Sequence, residues 1–482
     1  MTSETGPRHA TMAALAVGLA ATLATVVLYA PWIAQPHIRY DDFNFLTRSR
    51  TWSDTRANLF VPMNEHVMPL SRAASGLLMQ LTPRQSAIPR AAEIQGVVAV
   101  VIGMWLVFEF VRRELGHQFY GLIAMTLFGV TSTYYESVTW YSASFFTLAL
   151  DATLLGLLAA QSYRQTHRLA ALLACGGCCA FAPAFHSTAL PAGAWCALYL
   201  LVVDRGEPHT SSPVTNRAAA AVPLLGTVAF LALALGVSSG EVINASHYRG
   251  KTIVGAFNAR EGIQNTLRTL ADNQVIGAFG VWHKGWIFPW PAVIAIVSVL
   301  ALLAGFWWRM APHRRLLVLG LALVLGSDLM VYGARADWNY ERSVHNWTRY
   351  HLFPHLGFVL FLVGGMPFFE GRLFHLVVGR LSRRQLGMVG VLIALATVCH
   401  WPRSHWSHFY FPSQIAVLHR VERVDARCRQ TGIDAATARA ALGFLQFPLG
   451  YEHDNAWDFL RGSPTPVSMT VDDARALLRS IQ

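Results

Sequence analysis

The sequence predicts an all-α integral membrane protein with about 11 transmembrane helices. Of its 482 residues, 54% are hydrophobic and 13% are charged, whereas about a quarter of a soluble globular chain is charged. The apolar residues are also gathered into long runs, and Arg-rich segments separate one run from the next. Repeated runs of a length that crosses the hydrocarbon core are typical of a multi-pass membrane protein.

The first apolar run, at about residues 11–30, is longer than the apolar region of a signal peptide. We therefore expect an uncleaved first helix with a cytoplasmic N-terminus. The further predicted spans are 92–112, 118–133, 143–161, 168–184, 186–203, 217–237, 288–308, 314–332, 353–369 and 385–401, and the region around Pro183 and Pro191 fits either two clean spans or a kinked hairpin. Each loop that this order places inside carries at least two arginines, as the positive-inside rule requires.

The same order divides the chain into two parts. Residues 1–402 form a polytopic transmembrane domain, with a first outer loop at 31–91 and a second large outer loop at 238–287. Residues 403–482 form a small helical extracytoplasmic tail, in which Asp434 and Thr470 are predicted to cap helices.

Nucleic acid is not an expected partner, although the net charge is +11. The arginines lie mainly at the ends of apolar runs, where they orient the protein in the membrane and contact its lipids. Cysteines within apolar runs behave as small hydrophobes, and Cys175-x-x-Cys178 has no second pair or histidine at zinc spacing. We interpret them as core packing.

Two adjacent acids, Asp41 and Asp42, follow the first apolar run. A carboxylate at a membrane is costly and indicates function. Because neighbouring residues project in different directions, only one of the two is expected to act as a general base. The other would cap a helix, orient its neighbour or bind a metal. The spacing equally fits an N-cap at the start of an interfacial helix that begins at Phe43.

The rest of the first loop supplies further candidates. Residues 68–81 are apolar with polar interruptions, which predicts a helix lying in the membrane interface. Glu65 and His66 precede this helix. Glu65 is a candidate catalytic residue and His66 a candidate for binding substrate. Alternatively, the two residues bind a divalent metal together with Asp42. Arg72 lies within the helix and suits an anionic substrate.

Two later segments combine polar residues with aromatic residues. Glu136 lies among aromatic residues in the short segment YYESVTW at 134–140, where it would line a sugar site or decorate the interface. His400, His405 and His408, with two tryptophans, are interpreted as an interfacial belt at the end of the last span.

An acidic pair after the first span, followed by an interfacial helix, resembles the GT-C superfamily of membrane glycosyltransferases, which use polyprenyl-phosphate-linked sugars. The matching segments are YDDF at residues 40–43 and WTRYHLFP at 347–354, which looks like the Arg-Tyr motif of bacterial members. The resemblance covers about residues 10–400. It implies a hexosyl- or pentosyltransferase of the bacterial inner (plasma) membrane, with a polyprenyl-phosphate-sugar donor and a lipid, glycan or protein acceptor at the outer face.

In such a transfer the acceptor hydroxyl needs a base and the departing phosphate needs positive charge. The resemblance implies Asp41 as the base, with Asp42 as the second choice. Arg349, with Tyr350 beside it, and Lys284 are candidates for the phosphate, and headgroup contact or snorkelling is the alternative for each cation. A divalent metal is compatible with the candidate residues and not required by them.

Three other functions also have candidate residues in the sequence. A transporter or flippase for a lipid-linked glycan predicts ionisable residues deep within spans, of which Asp151 and Asp328 are the candidates. An O-antigen ligase or polymerase would use Arg and His of a late outer loop, where Arg342 and His345 precede Arg349. A membrane acyltransferase would need a histidine deep in a span, and His186, the nearest, is interpreted as polar packing.

Overall fold

A computed structural model describes residues 7–34, 36, 41–63, 66–82, 87–203, 213–237, 258–277, 289–310, 313–334, 348–369, 382–410, 414–443, 470, 472–474 and 476. For some residues within these ranges, Asp41 among them, only the backbone is described. Glu65, Lys284, Arg342 and His345 lie outside the described residues.

In the described ranges the regular elements are helices, together with an isolated antiparallel bridge between Met63 and His66. The helices are α1 (Pro7–Ala34), α2 (Asp41–Thr47), α3 (Trp52–Ala57), α4 (Pro69–Leu81), α5 (Ile88–Leu115), α6 (Gln118–Gly129), α7 (Glu136–Thr139), α8 (Tyr141–Thr166), α9 (Leu169–Phe185), α10 (Ala192–Leu201), α11 (Pro213–Val237), α12 (Ala259–Thr269), α13 (Trp290–Met310), α14 (Arg314–Ala334), α15 (Leu352–Gly365), α16 (Arg383–Tyr410), α17 (Gln414–Thr431) and α18 (Ala435–Gly443). Short 3-10 turns at Ser187–Ala189 and Thr348–His351 precede α10 and α15.

Within the described residues, 7 helices are long and apolar enough to cross a membrane, namely α1, α5, α8, α11, α13, α14 and α16. Helices α6, α9, α10 and α15 are shorter, and they occupy the other predicted spans. The all-α membrane architecture is thus confirmed, and the total of about 11 spans stays a prediction. The region around Pro183 and Pro191 is a helix, a 3-10 turn and a short helix.

The sequence also explains where helices begin and end. Helix α5 has Pro89 in its first turn, where the missing N–H would have no intrahelical partner. It ends at Gly116, whose φ of +68° is in the left-handed region that glycine adopts without strain. Arg112 and Arg113 in its last turn complement the helix dipole.

Helices α14 and α15 pack with their backbones almost in contact. A Cβ added at Gly320 would lie 2.6 Å from the carbonyl oxygen of Gly357, and one added at Gly357 would lie 2.6 Å from that of Gly320. Small residues allow helices in a membrane to approach this closely. The contact fixes α15, and α15 directly follows the segment that contains Arg349.

At one end of the bundle, a buried polar cluster joins α5, α8, α10 and α14. Nη1 of Arg315 lies 3.5 Å from Oε1 of Glu114. The Gln161 amide donates to Oε2 of Glu114 at 2.9 Å, and the Tyr199 hydroxyl donates to the same oxygen. The ends of four of the loops predicted to lie inside therefore meet on one side of the bundle, which agrees with the predicted alternation of inside and outside loops. That this side is cytoplasmic stays a prediction.

The opposite end, called the site end below, is where α5, α8 and α9 meet the helices of the first loop. The tail also contributes there, since Val421, Val424 and Ala438 belong to the same buried apolar cluster as Phe45 and Met68. Within the tail, α18 has its predicted cap.

The cap of α18 is Asp434, whose carboxylate accepts from the backbone N–H of Thr437 at 2.9 Å and from its hydroxyl at 2.6 Å. These hydrogen bonds lower the pKa of Asp434. One of the two hydrogen bonds of the capping box predicted at Thr470 is present, because the backbone N–H of Asp473 donates to the Thr470 hydroxyl at 3.2 Å.

Candidate active site

Helix α4 ties the first loop to the bundle through its polar face. The Ser71 hydroxyl donates to the carbonyl of Phe185 at 2.5 Å, and the Tyr141 hydroxyl donates to Ser75 at 2.8 Å. The apolar residues Leu77 and Leu81 point outwards and are 49% and 71% exposed. A helix with polar residues inside and leucines outside suits contact with lipid, as the predicted interfacial position requires.

Arg72 is buried on the inner face of α4, with 1% of its surface exposed. Its guanidinium donates to the backbone oxygen of Asn44 at 3.3 Å and to its side-chain oxygen at 3.4 Å, and it lies 4.5 Å from the ring centroid of Phe45. Burial, with a smaller effect of Arg48, lowers the pKa of Arg72 to about 10, so the group stays charged at neutral pH. Arg72 holds α2 in place, and its contact with substrate stays a prediction.

Asp42 is fully buried at the N-terminus of α8. Its Oδ1 accepts a hydrogen bond from the backbone N–H of Ser142 at 2.7 Å. The first N–H groups of a helix have no intrahelical partner and carry partial positive charge, so a carboxylate there is stabilised. The sequence offered the alternative that one acid caps a helix beginning at Phe43. Asp42 instead lies in the first turn of α2 and caps the distant helix α8.

The structure describes the backbone of Asp41 in the first turn of α2. Asp41 therefore lies in the same turn as Asp42, and its role as the base stays a prediction.

A second part of the site end joins the short helix α7 to the segment before α15. Nη1 of Arg349 lies 3.4 Å from Oε2 of Glu136, and the backbone N–H of Arg349 donates to the same oxygen at 3.3 Å. The backbone N–H of Glu136 donates to Thr348 at 3.1 Å, and the Ser137 hydroxyl donates to the carbonyl of Arg349 at 3.1 Å. These four contacts are called the Glu136–Arg349 clasp. The side chains of Glu136 and Arg349 are 3% and 14% exposed.

Two aromatic rings flank the guanidinium of Arg349. Its central carbon lies 4.6 Å from the ring centroid of Trp140 and 4.9 Å from that of Tyr350. Cation–π contacts and the clasp together fix the orientation of the cation. Trp140 also precedes α8 directly, so the clasp and the Asp42 cap share one short stretch of chain.

His66 is placed by the bridge to Met63, in which two backbone hydrogen bonds of 2.9 and 3.0 Å close the turn. Its Nδ1 is 2.6 Å from the Ser187 hydroxyl, and its ring centroid is 5.0 Å from that of His186. The sequence interpretation of His186 as polar packing missed this position. The signal available was a histidine followed by Ser and Thr at a helix end, a pattern that suits a capped turn.

His400 differs from its predicted interfacial position. It is buried, and its Nδ1 accepts from the backbone N–H of Ser132 at 3.2 Å. The ring therefore supports the turn before α7 and does not face the headgroups.

Two metal sites were tested against the described residues. The set of Asp42, Glu65 and His66 offers the oxygen and nitrogen donors that a divalent cation takes, and it stays a prediction because Glu65 is outside the described residues. The sulfur atoms of Cys175, Cys179 and Cys196 lie within 4.8 Å of one another. All three are fully buried in apolar surroundings, where thiols are inert and thiolates costly, and core packing remains our interpretation.

No known family model matches the chain, and no curated protein matches it. Among solved structures, it is similar to the Archaeoglobus fulgidus oligosaccharyltransferase tethered to an acceptor peptide, with a TM-score of 0.43 and 14% identity. It is also similar to the archaeal oligosaccharyltransferase AglB from Archaeoglobus fulgidus in complex with an inhibitory peptide and a dolichol-phosphate, with a TM-score of 0.41 and 13% identity. Both neighbours are GT-C enzymes. Each similarity covers 94% of this chain and 60% of the other.

Proposed function

We propose that this chain is a GT-C-type glycosyltransferase that moves a sugar from a polyprenyl-phosphate-linked donor to a lipid, glycan or protein acceptor. The observation that carries the proposal is the meeting of the acidic-pair segment and the Arg-Tyr segment at one end of a helical bundle. Asp42 and the Glu136–Arg349 clasp are joined through Trp140 and the start of α8. These segments are far apart in sequence, and the proposed reaction needs a base and a cation side by side.

In the proposed mechanism, Asp41 is the general base. It would accept the proton of the acceptor hydroxyl while that oxygen attacks the anomeric carbon of the donor sugar. Asp42 supports this assignment, because its Oδ1 is already bonded to Ser142 and its carboxylate is buried. Asp42 therefore acts as the anchor that sets α2 against α8, and Asp41 as the reacting acid.

Arg349 would stabilise the departing polyprenyl phosphate. A guanidinium carries five N–H donors, more than one carboxylate oxygen accepts. The clasp to Glu136 and the rings of Trp140 and Tyr350 hold the cation before substrate arrives, which removes the cost of orienting it during the reaction. Lys284, Arg72 and Glu65 remain candidates for further substrate contacts.

The test uses membranes containing the protein and labelled polyprenyl-phosphate sugars. Asp41→Asn keeps the shape of the side chain and removes the base, so we expect transfer to fall by about 10²- to 10⁴-fold with the fold intact. Asp54→Asn is the matched control, because Asp54 is an acid of the same loop whose carboxylate only caps α3. We expect this control to transfer sugar at the wild-type rate.

Arg349→Gln tests the phosphate assignment separately. We expect weaker binding of the donor, measured with a non-transferable polyprenyl phosphate, in protein that retains its helix content. Normal transfer by folded Asp41→Asn would show that the assigned base is wrong. Unchanged donor binding by Arg349→Gln would remove Arg349 from the phosphate site.

A further inference from the structure

His186 ends α9 and caps the 3-10 turn Ser187–Ala189. Its Nδ1 accepts from the backbone N–H of Thr188 at 3.2 Å, and the Thr188 hydroxyl lies 3.1 Å from the same nitrogen. A ring nitrogen that accepts a hydrogen bond carries no proton, so the neutral ring of His186 has its proton on Nε2. The cap fixes both the tautomer and the orientation of a ring that is 5% exposed.

Two other rings lie close to the ring of His186. One face stacks on Phe146, with 3.7 Å between the ring centroids and 27° between the planes. His66 lies on another side, at 5.0 Å and 48°. Phe146 in turn meets the ring of Tyr350 edge-on at 5.5 Å. The four rings of His66, His186, Phe146 and Tyr350 are called the aromatic row.

The aromatic row connects the two segments that the proposed reaction brings together. His66 belongs to the first loop, which also contains the acidic pair. Tyr350 belongs to the Arg-Tyr segment, and its ring lies under the guanidinium of Arg349. Phe146 of α8 and His186 lie outside both segments, and the turn between α9 and α10 fixes the ring of His186.

We propose that His186 is a positioning residue that sets the first loop against Arg349 and Tyr350, an inference that rests on the sugar transfer proposed above. The position requires two properties at once. The Thr188 N–H needs an acceptor at the place of Nδ1, and Phe146 needs a flat ring to stack on. Histidine supplies both, whereas asparagine supplies only the acceptor and phenylalanine only the ring.

Two variants separate these properties. His186→Asn keeps the cap and loses the stack, and His186→Phe keeps the stack and loses the cap. Because a displacement of about 1 Å between reacting groups costs about 10²-fold in rate, we expect each variant to lower kcat by about 10- to 100-fold. We expect KM for the donor to change by much less, since neither variant removes Arg349.

The chain offers a matched control in His117. This histidine also accepts at Nδ1 from the backbone N–H two residues later, at 3.1 Å, and its ring lies 6.1 Å from that of Tyr120. His117 is at the opposite end of the bundle, next to the polar cluster around Glu114. We expect His117→Asn and His117→Phe to leave kcat and KM unchanged.

The row also predicts coupling between His186 and Tyr350. In a double-mutant cycle of His186→Asn and Tyr350→Leu, the fold-decrease in kcat of the double variant should be smaller than the product of the two single fold-decreases. Wild-type kcat in both His186 variants, multiplicative losses, or an equal effect of the His117 variants would overturn the positioning role.

Failure of the two proposals is distinguishable. If Asp41→Asn is inactive and both His186 variants are fully active, only the positioning role of His186 is rejected. Full activity of Asp41→Asn together with slow His186 variants would show that Asp41 is not the base, and it would leave the positioning role of His186 standing. Absence of transfer by the wild-type protein would overturn both.

Discussion

The carboxylate of Asp42 accepts a hydrogen bond from the backbone N–H of Ser142 at 2.7 Å, across 100 residues of chain. This contact sets the acidic pair against the N-terminus of α8, which is also where Trp140 reaches Arg349. A carboxylate at a helix N-terminus is held by a charge-assisted hydrogen bond and by the helix dipole. Asp42 is thus a structural residue of the site.

Asp42→Ala should therefore lower the free energy of unfolding by about 1 to 2 kcal/mol, the cost of losing an N-cap. Asp42→Asn keeps an oxygen acceptor and should lose less. Unfolding in detergent, followed by circular dichroism, measures both. Asp54→Ala provides the comparison, because it removes a carboxylate that accepts from the backbone N–H of Thr51 at the exposed start of the short helix α3. Equal stability of Asp42→Ala and the wild type would contradict the capping role.

The Glu136–Arg349 clasp predicts strong coupling. Changing either Glu136→Gln or Arg349→Gln leaves the other group buried without its partner, and each change should cost about 3 to 5 kcal/mol. The double variant should be more stable than the sum of the two losses predicts, by about 0.5 to 3 kcal/mol. Sugar transfer should stay low in the double variant, because it regains part of the free energy of unfolding but still lacks the guanidinium of Arg349. Additive losses would show that the two side chains act independently.

The Glu114–Arg315 pair, with side chains 5% and 7% exposed, tests the opposite end of the bundle. Glu114→Gln alone should also destabilise the protein, by about 3 to 5 kcal/mol. Transfer per folded molecule should remain at the wild-type level, measured after separating folded protein by size-exclusion chromatography. A lower kcat in the folded fraction would extend the functional site to both ends.

Replacing Asp151 should raise the stability of the protein, whereas the preceding variants lower it. In the described part of the structure neither of its carboxyl oxygens has a hydrogen-bond partner, and the residue is 6% exposed within α8. A buried polar group without partners is destabilising, so Asp151→Ala should raise the free energy of unfolding by about 1 kcal/mol after the cost of the small cavity. Full transfer activity is expected. Loss of activity in a stable variant would favour the transporter interpretation, in which deep acids carry the function.

Helices and their ends were predictable because they depend on local pattern. The apolar stretch that forms α4, the cap at Asp434 and the arginines at helix ends are all visible within a window of one element. Asp42, Glu136 and Arg349 are candidates from sequence because an acidic pair, an acid among aromatic residues and an Arg-Tyr pair are distinctive short patterns, and their roles in a reaction stay predictions.

Their partners were not predictable, since each depends on packing between distant helices. Asp42 caps a helix whose start lies 100 residues away, and His400 supports a turn 268 residues earlier. His186 has an unremarkable sequence context, and its contacts with the rings of Phe146 and His66 are visible only in the tertiary structure. The sequence shows which side chains are unusual, and the tertiary structure shows what each one meets.

The 213 residues between Glu136 and Arg349 also set an order of events during biosynthesis. At about 5 to 20 residues per second, a ribosome completes Arg349 about 10 to 40 seconds after Glu136. During that interval the insertion machinery or water must accommodate Glu136, because its cation does not yet exist. The clasp therefore closes only after Arg349 has been made, and a nascent chain that is truncated before this residue holds Glu136 without the cation of the clasp.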